Sequence, residues 1–178
     1  YVEVAFSNAC NFKCSYCGPA FSSRWMEEVE KFGAYPTTDK FNDLQYNIDE
    51  NKMPFKQTEA NPFVDAFWRW WPDLYKDLHT FRMTGGEPLM SKDVFRVLEY
   101  IQENWEQNPN ISLAINTNLG VPDKLVDKFI AIAKDLCENN KVREFIIFTS
   151  VEAKGDQAEY TRHGLDYERF WSNVDKIL

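Results

Sequence analysis

The sequence predicts an α/β fold: a parallel sheet forming a partial (β/α) barrel of about four βα units, with a helical insertion after the first strand. Three observations predict it. Strand-like segments recur along the chain, each is followed by apolar residues spaced three and four apart, and the last three strand starts, near residues 80, 111 and 144, lie one βα repeat from each other. The 178 residues amount to one domain, and a composition that is 44% hydrophobic and 16% aromatic is enough to bury a core.

The first strand is VEVAFS (Val2–Ser7), which runs directly into a loop of cysteines. It begins one residue after Tyr1, so the sequence is expected to be cut from something longer. The second strand, TFRMT (Thr80–Thr84), starts some 78 residues later, an excess of roughly 45 residues over the repeat, which calls for an insertion. That stretch, residues 20–79, opens with a helix through Phe21, Trp25 and Val29 that stops near Gly33. It continues through a polar region from Thr37 to Lys56, with residues 34–60 either covering or flanking the site, and ends in a helix over Asn61–Leu78. Asn61 and Pro62 are start signals there, and Pro72 is a kink or break. Trp68, Trp70 and Trp71 are expected to pack this helix onto the sheet and the insertion.

ISLAINT (Ile111–Thr117) and EFIIFTSV (Glu144–Val151) are near-continuous apolar runs, of the kind a parallel sheet buries on both faces. Helical stripes separate and follow them: Val94, Val97, Leu98, Ile101 and Trp105; then Leu125, Phe129, Ile132 and Leu136, started by Pro122 and stopped by Asn139-Asn140; then Phe170, Val174 and Ile177. A fifth strand would be due just past Leu178, so the expectation for these four units is an open or partial barrel rather than a closed eight-fold one.

Charge and hydropathy exclude other classes. The net charge of −8 has the wrong sign for gripping nucleic acid through its phosphates. No apolar run approaches the roughly 18 residues of a membrane span, and no leader pattern opens the chain. A cytoplasmic domain that meets a basic partner or an uncharged small molecule is the expectation.

Cys10, Cys14 and Cys17 fall in one loop, CNFKCSYC, whereas Cys137 stands alone and is expected to be a small buried hydrophobe. Three crowded thiols read as metal ligands in a reducing compartment rather than a disulfide framework. Thiolates are the soft ligands of Fe–S clusters, and a cubane held by three of them keeps one iron open. A closed zinc site needs a fourth protein ligand, with Cys137, His79 and His163 as candidates; a non-catalytic zinc or Fe–S binding module is the alternative reading.

The other strands also end in polar groups. Gly85-Gly86-Glu87-Pro88 follows the second: glycines without Cβ let a ligand approach the backbone, and Glu87 supplies a carboxylate for an ammonium group. Asn116 and Asn118 end the third strand, Ser150 and Glu152 the fourth. In a parallel sheet these groups and the cysteines share one rim, where ligands of such sheets sit. No Walker-type phosphate loop or Ser-His-Asp order appears.

The C-x3-C-x2-C loop, with an aromatic before its last cysteine, and the GGEP turn after the second strand together resemble the radical S-adenosylmethionine (SAM) enzymes. The segment YTRHGLDYERFWSNV resembles the subgroup with a C-terminal SPASM or twitch extension. The resemblance covers essentially the whole chain. It implies a [4Fe–4S] cluster on Cys10, Cys14 and Cys17, and SAM at the open iron. Gly85, Gly86 and Glu87 would meet the SAM amino group, and Ser150 and Glu152 its ribose. Arg162 would meet the carboxylate, and Tyr16 would lie near the adenine or pack on the cluster loop. Glu152-Ala153 departs from the Asp-Gly pair common at that place. The resemblance also implies reductive cleavage of SAM to a 5′-deoxyadenosyl radical. An electron donor such as a flavodoxin or ferredoxin would feed it, and the substrate would be a small molecule or a peptide.

Overall fold

Among the residues described, 1–56 and 59–178, the computed structural model forms β1 (Val2–Ala5), β2 (Lys13–Cys14), β3 (Thr80–Thr84), β4 (Ser112–Asn116), β5 (Glu144–Phe148) and β6 (Arg162–His163). Its helices are α1 (Ser23–Phe32), α2 (Leu44–Asp49), α3 (Pro62–Asp77), α4 (Lys92–Asn104), α5 (Asp123–Glu138), α6 (Asp156–Thr161) and α7 (Tyr167–Ile177), with short 3₁₀ turns at Pro88–Met90 and Trp105–Gln107. Positions 57 and 58, part of the predicted 34–60 stretch, lie outside the described residues.

Four strands pair in parallel in the order β1-β3-β4-β5. Spatial order follows chain order, as around a (β/α) barrel, whereas a doubly wound sheet reverses it. The sheet is therefore compatible with an arc of such a barrel. The pairing register sets Val4, Met83, Ile115 and Ile147 in one row across the sheet, and Val2, Phe81, Leu113 and Phe145 in the next. Phe81, Met83, Leu113 and Ile115 are fully buried, so these rows carry the core against the helices.

The intervening row, Glu3, Arg82, Ala114 and Ile146, lies on the opposite face. Here one expectation fails. β4 is buried along Ser112–Ile115, but β5 alternates, with Glu144, Ile146 and Phe148 exposed. Glu144, Ile146 and Phe148 lie on the face opposite the core rows, and at the end of the sheet they have side chains of β4 alone beside them. Arg82 lies over the Phe148 ring, 4.9 Å from its centroid, partly shielding it.

The helices correct several further readings. α1 starts at Ser23, not Phe21, because Ser22 is its cap and accepts the Trp25 N–H; Gly33 closes it as predicted. The polar region contains α2, six residues fixed by the Asp43 cap rather than by any apolar period. α3 runs unbroken through Pro72. Its tryptophans divide: Trp71 is fully buried against Phe67, Phe81 and Tyr75, Trp68 is half-buried, and Trp70 is 56% exposed, so Trp70 does not pack the helix. At about 100° per residue, adjacent tryptophans cannot share a face. The same geometry turns Cys137 outward beside buried Leu136, so it is an exposed thiol and not a core residue. In α5, Val126 is buried while Leu125 is only partly so, and Trp105 lies past the end of α4. No helix among the described residues is long and apolar enough to cross a membrane.

Trp71 tests the packing of α3 on the sheet. Its Nε1–H is buried without an acceptor among the described residues. Trp71→Ala should cost about 3–5 kcal/mol in urea unfolding. Trp71→Phe discards the unpartnered donor and keeps most of the ring, so it should cost less than about 2 kcal/mol.

Candidate functional site

Parallel strands bring their carboxyl ends to one edge, and the first two are locked together by backbone. Past β1 the chain runs Phe6 to Ala9 into Cys10. Gly86 donates its N–H to the Ser7 carbonyl (3.1 Å), and Glu87 donates its N–H to the Ala9 carbonyl (2.6 Å). A Cβ on Gly86 would stand 2.4 Å from the Ala9 oxygen and 2.5 Å from the Asn8 oxygen. On Gly85, whose φ is +119°, it would meet the Ser7 oxygen at 2.6 Å. The glycines thus admit the backbone of the cysteine loop itself, a role distinct from the ligand approach that sequence reasoning assigned them.

α1 holds the loop from the other side. Ser23 receives the Cys10 N–H (3.1 Å), Ser22 donates to the Phe12 carbonyl (2.7 Å), and Trp25 Nε1 donates to the Cys14 carbonyl (2.9 Å). β2 and β6 then pair antiparallel, with Cys14 opposite Arg162. Cys10 is buried, Cys14 and Cys17 are half-buried, and all three are free thiols. Burial pushes the Cys10 thiol up to about 11, opposed by the Phe12 N–H and reinforced by Glu87, Cys14 and Cys17. Burial also raises Cys14, and the Arg162 charge pulls against it. Two nitrogens address the Cys10 sulfur: Phe12 N (3.4 Å) and Asn118 Nδ2 (3.9 Å).

Glu87, only 1% exposed, does not point its carboxylate at open space. It accepts from the Asn118 N–H (2.6 Å), the Thr117 hydroxyl (2.7 Å) and the Leu89 N–H (2.9 Å), and so clasps the glycine turn to the end of β4. Burial raises its carboxyl to about 7, with those three donors partly offsetting the shift. Asn118 carries the connection onward to Asn11 Oδ1 (3.0 Å). Asn116, expected at the rim with it, instead turns to the open sheet face and accepts from Arg82 Nε (2.9 Å).

At the fourth strand's end, Ser150 is exposed. Glu152 forms a two-pronged ion pair with Arg162, Nε to Oε2 and Nη2 to Oε1, both 2.6 Å. The Tyr16 hydroxyl donates to the same carboxylate (2.8 Å). Arg162 holds the Glu152 carboxyl down at about 2. Two residues expected to grasp opposite ends of SAM are therefore engaged with each other, and Tyr16 joins them.

Three free thiols in one loop are a donor set of the kind a cubane takes. Among the described residues no three His, Cys, Asp or Glu side chains converge as one ion requires. His79, a candidate fourth zinc ligand, contacts Thr80 and Arg143 at the start of β3, and Cys137 lies on the exposed side of α5. A cubane takes each thiolate at a separate iron, and N–H donors at sulfur, as Cys10 has, suit such ligands. Sequence reasoning missed Asn11, Ser23, Trp25, Arg82 and Thr117. Ser22-Ser23 ahead of a helical stripe and an arginine inside TFRMT were the available signals; the contacts of Asn11 and Thr117 left none.

The chain resembles GTP 3′,8-cyclases. That of Campylobacter lari is 25% identical over 119 residues, 67% of this chain and 28% of that protein. That of Nautilia profundicola is 27% identical over 118 residues, 66% of this chain and 27% of that protein. That of Sulfurimonas denitrificans is 25% identical over 118 residues, with the same shares. The match spans little more than a quarter of those relatives' own length. No family model matches the chain, and no solved structure matches it significantly. The likeness is distant; it supports the radical SAM class as a whole and does not reach the twitch or SPASM subgroup.

Gly86→Ala should displace the cysteine loop, costing about 1–3 kcal/mol in urea unfolding and lowering the iron bound on reconstitution. Glu87 should show in the pH dependence. Its carboxyl is raised from 4.5 to about 7, so across that window the folded state binds the proton more tightly than the unfolded chain. This contribution is present below pH 4.5 and lost as pH rises through about 7. Relative to Glu87→Gln, the wild-type cluster-free protein should lose up to about 1.4 kcal/mol per pH unit there in urea titrations.

Proposed function

We propose that this chain is the catalytic domain of a radical SAM enzyme in which Cys10, Cys14 and Cys17 hold a [4Fe–4S] cluster with one iron left for SAM. The observation that carries the proposal is the locking of the three-cysteine loop onto the GGEP turn by the Gly86 and Glu87 N–H groups, with amide nitrogens at the Cys10 sulfur. When bound, the cluster and SAM supply reductive cleavage of the SAM carbon–sulfur bond and a 5′-deoxyadenosyl radical for hydrogen abstraction.

The chain's own residues bind and orient. Asn118, held by Glu87, fixes the side of the loop that carries Cys10. Arg162 opposite Cys14 places a positive charge beside the cluster thiolates and offers its fork to the SAM carboxylate once Glu152 yields it. Released Glu152 and Ser150 are then available to the ribose, and Tyr16 to the adenine. A radical step draws no proton from a side-chain base, so no catalytic histidine is required. The sequential parallel sheet supports a partial barrel, and the YTRHGLDYERFWSNV segment supports a twitch-like subgroup. A flavodoxin or ferredoxin fits as electron donor, and reduced thiols fit the cytoplasm. The cyclisation named for the relatives is not carried over, given the share of their length that matches; a small molecule or a peptide is the substrate class retained.

Anaerobic reconstitution with iron and sulfide, followed by SAM and a strong reductant, should yield 5′-deoxyadenosine by chromatography. Replacing the three cysteines with alanine should abolish the product. Zinc in place of iron and sulfide, or product that persists in the alanine variant, refutes the proposal.

A further inference from the structure

A cavity of about 650 Å³ opens beside Ser7 and the start of α4, and none of the residues named above for the cluster or for SAM lines it. Part of its lining is polar and without a partner among the described residues. The Lys92, Asp93 and Val94 N–H groups at the α4 N-terminus find no acceptor among the described residues. Ser91 stands at the cap, yet its hydroxyl makes no capping bond and has no partner among the described residues, although the residue is only 6% exposed and lines the cavity. In α1, α2, α3 and α7 the cap side chain does accept from the helix; α5 and α6 have Pro122 and Gly155 at the cap, which offer no side-chain acceptor, so among these helices Ser91 is a cap hydroxyl left unused.

The adjoining charges are mixed, and the cations among them have the matching sign. Lys92 and Arg96 line the cavity and make no ion pair among the described residues. Arg96 is held over the Trp68 ring, 3.8 Å from its centroid. Asp93 also lines the cavity and accepts from the Trp68 Nε1–H (2.8 Å), which turns one carboxylate oxygen toward the indole and leaves its charge in place. Phe6, Val64 and Met90 add apolar wall. Three open amides, a free hydroxyl and two cations complement an oxyanion, and the apolar wall complements a ring or chain that carries it. With Asp93, Glu59 and Asp65 bring the carboxylates lining the cavity to three, which disfavours a second anionic group.

We propose that this cavity binds a small ligand bearing one oxyanion on an apolar body, with the anion seated on Ser91 and the α4 N-terminus between Lys92 and Arg96. Phosphate monoesters and carboxylates share that chemistry. Calorimetric titration of the reconstituted protein, saturated with SAM, with phenyl phosphate, benzoate and inorganic phosphate tests it. One of the two ring-bearing probes should bind saturably and more tightly than inorganic phosphate; a preference for phenyl phosphate or for benzoate identifies the anion. Ser91→Ala, Lys92→Gln and Arg96→Gln should each weaken that probe by about three- to tenfold. Exposed Lys92 keeps the test valid should Ser91→Ala fail to fold. No saturable binding of either ring-bearing probe below about 10 mM, displacement by SAM, or equal affinity in Lys92→Gln and Arg96→Gln overturns the proposal.

Discussion

The rim depends on one steric constraint: two peptide segments pass so closely that neither Gly85 nor Gly86 can carry a side chain. The Ser7, Asn8 and Ala9 carbonyls fill the space where Cβ atoms would stand, and two N–H groups of the turn bond back to them. Cys10 follows the last of those carbonyls by one residue, so its position is set by the end of β3 as much as by β1. Glu87 extends the lock to β4 through Thr117 and Asn118, and Asn118 returns to the Cys10 sulfur. Three strands are thereby tied in a closed circuit of hydrogen bonds. A buried carboxylate at the centre of such a circuit is tolerable only because three donors meet it.

Much of the architecture was legible. The four parallel strands and the helices between them lie close to where residue spacing put them, because alternating burial leaves a period in the sequence. Where the period was weak, reading failed. α2 has no apolar stripe and forms around a cap; Trp70 and Cys137 belong to apolar stretches but face outward by helical angle; β5 looks like a central strand and sits at an edge.

The site was legible by element and not by contact. Sequence placed polar groups at the ends of the four main strands, and the parallel sheet gathers those ends at one edge. What they do there depends on partners far along the chain, which spacing does not encode. Glu87 serves β4, Asn116 serves Arg82, and Tyr16 reaches Glu152, 136 residues away. Asn11 was invisible because nothing in its neighbourhood hints at Gly120 and Asn118, both of which it contacts.

The Glu152–Arg162 pair has a thermodynamic consequence. A carboxylate arriving from solution must evict one that is tethered ten residues away and already holds both prongs of the guanidinium. The tether gives the resident an effective concentration that free competitors reach only in the millimolar range, so simple acids are screened out. Only a molecule that recovers the loss through additional contacts elsewhere on the rim can complete the exchange. Were Arg162 to take a ligand carboxylate as proposed, selectivity at this corner would be exerted by an incumbent.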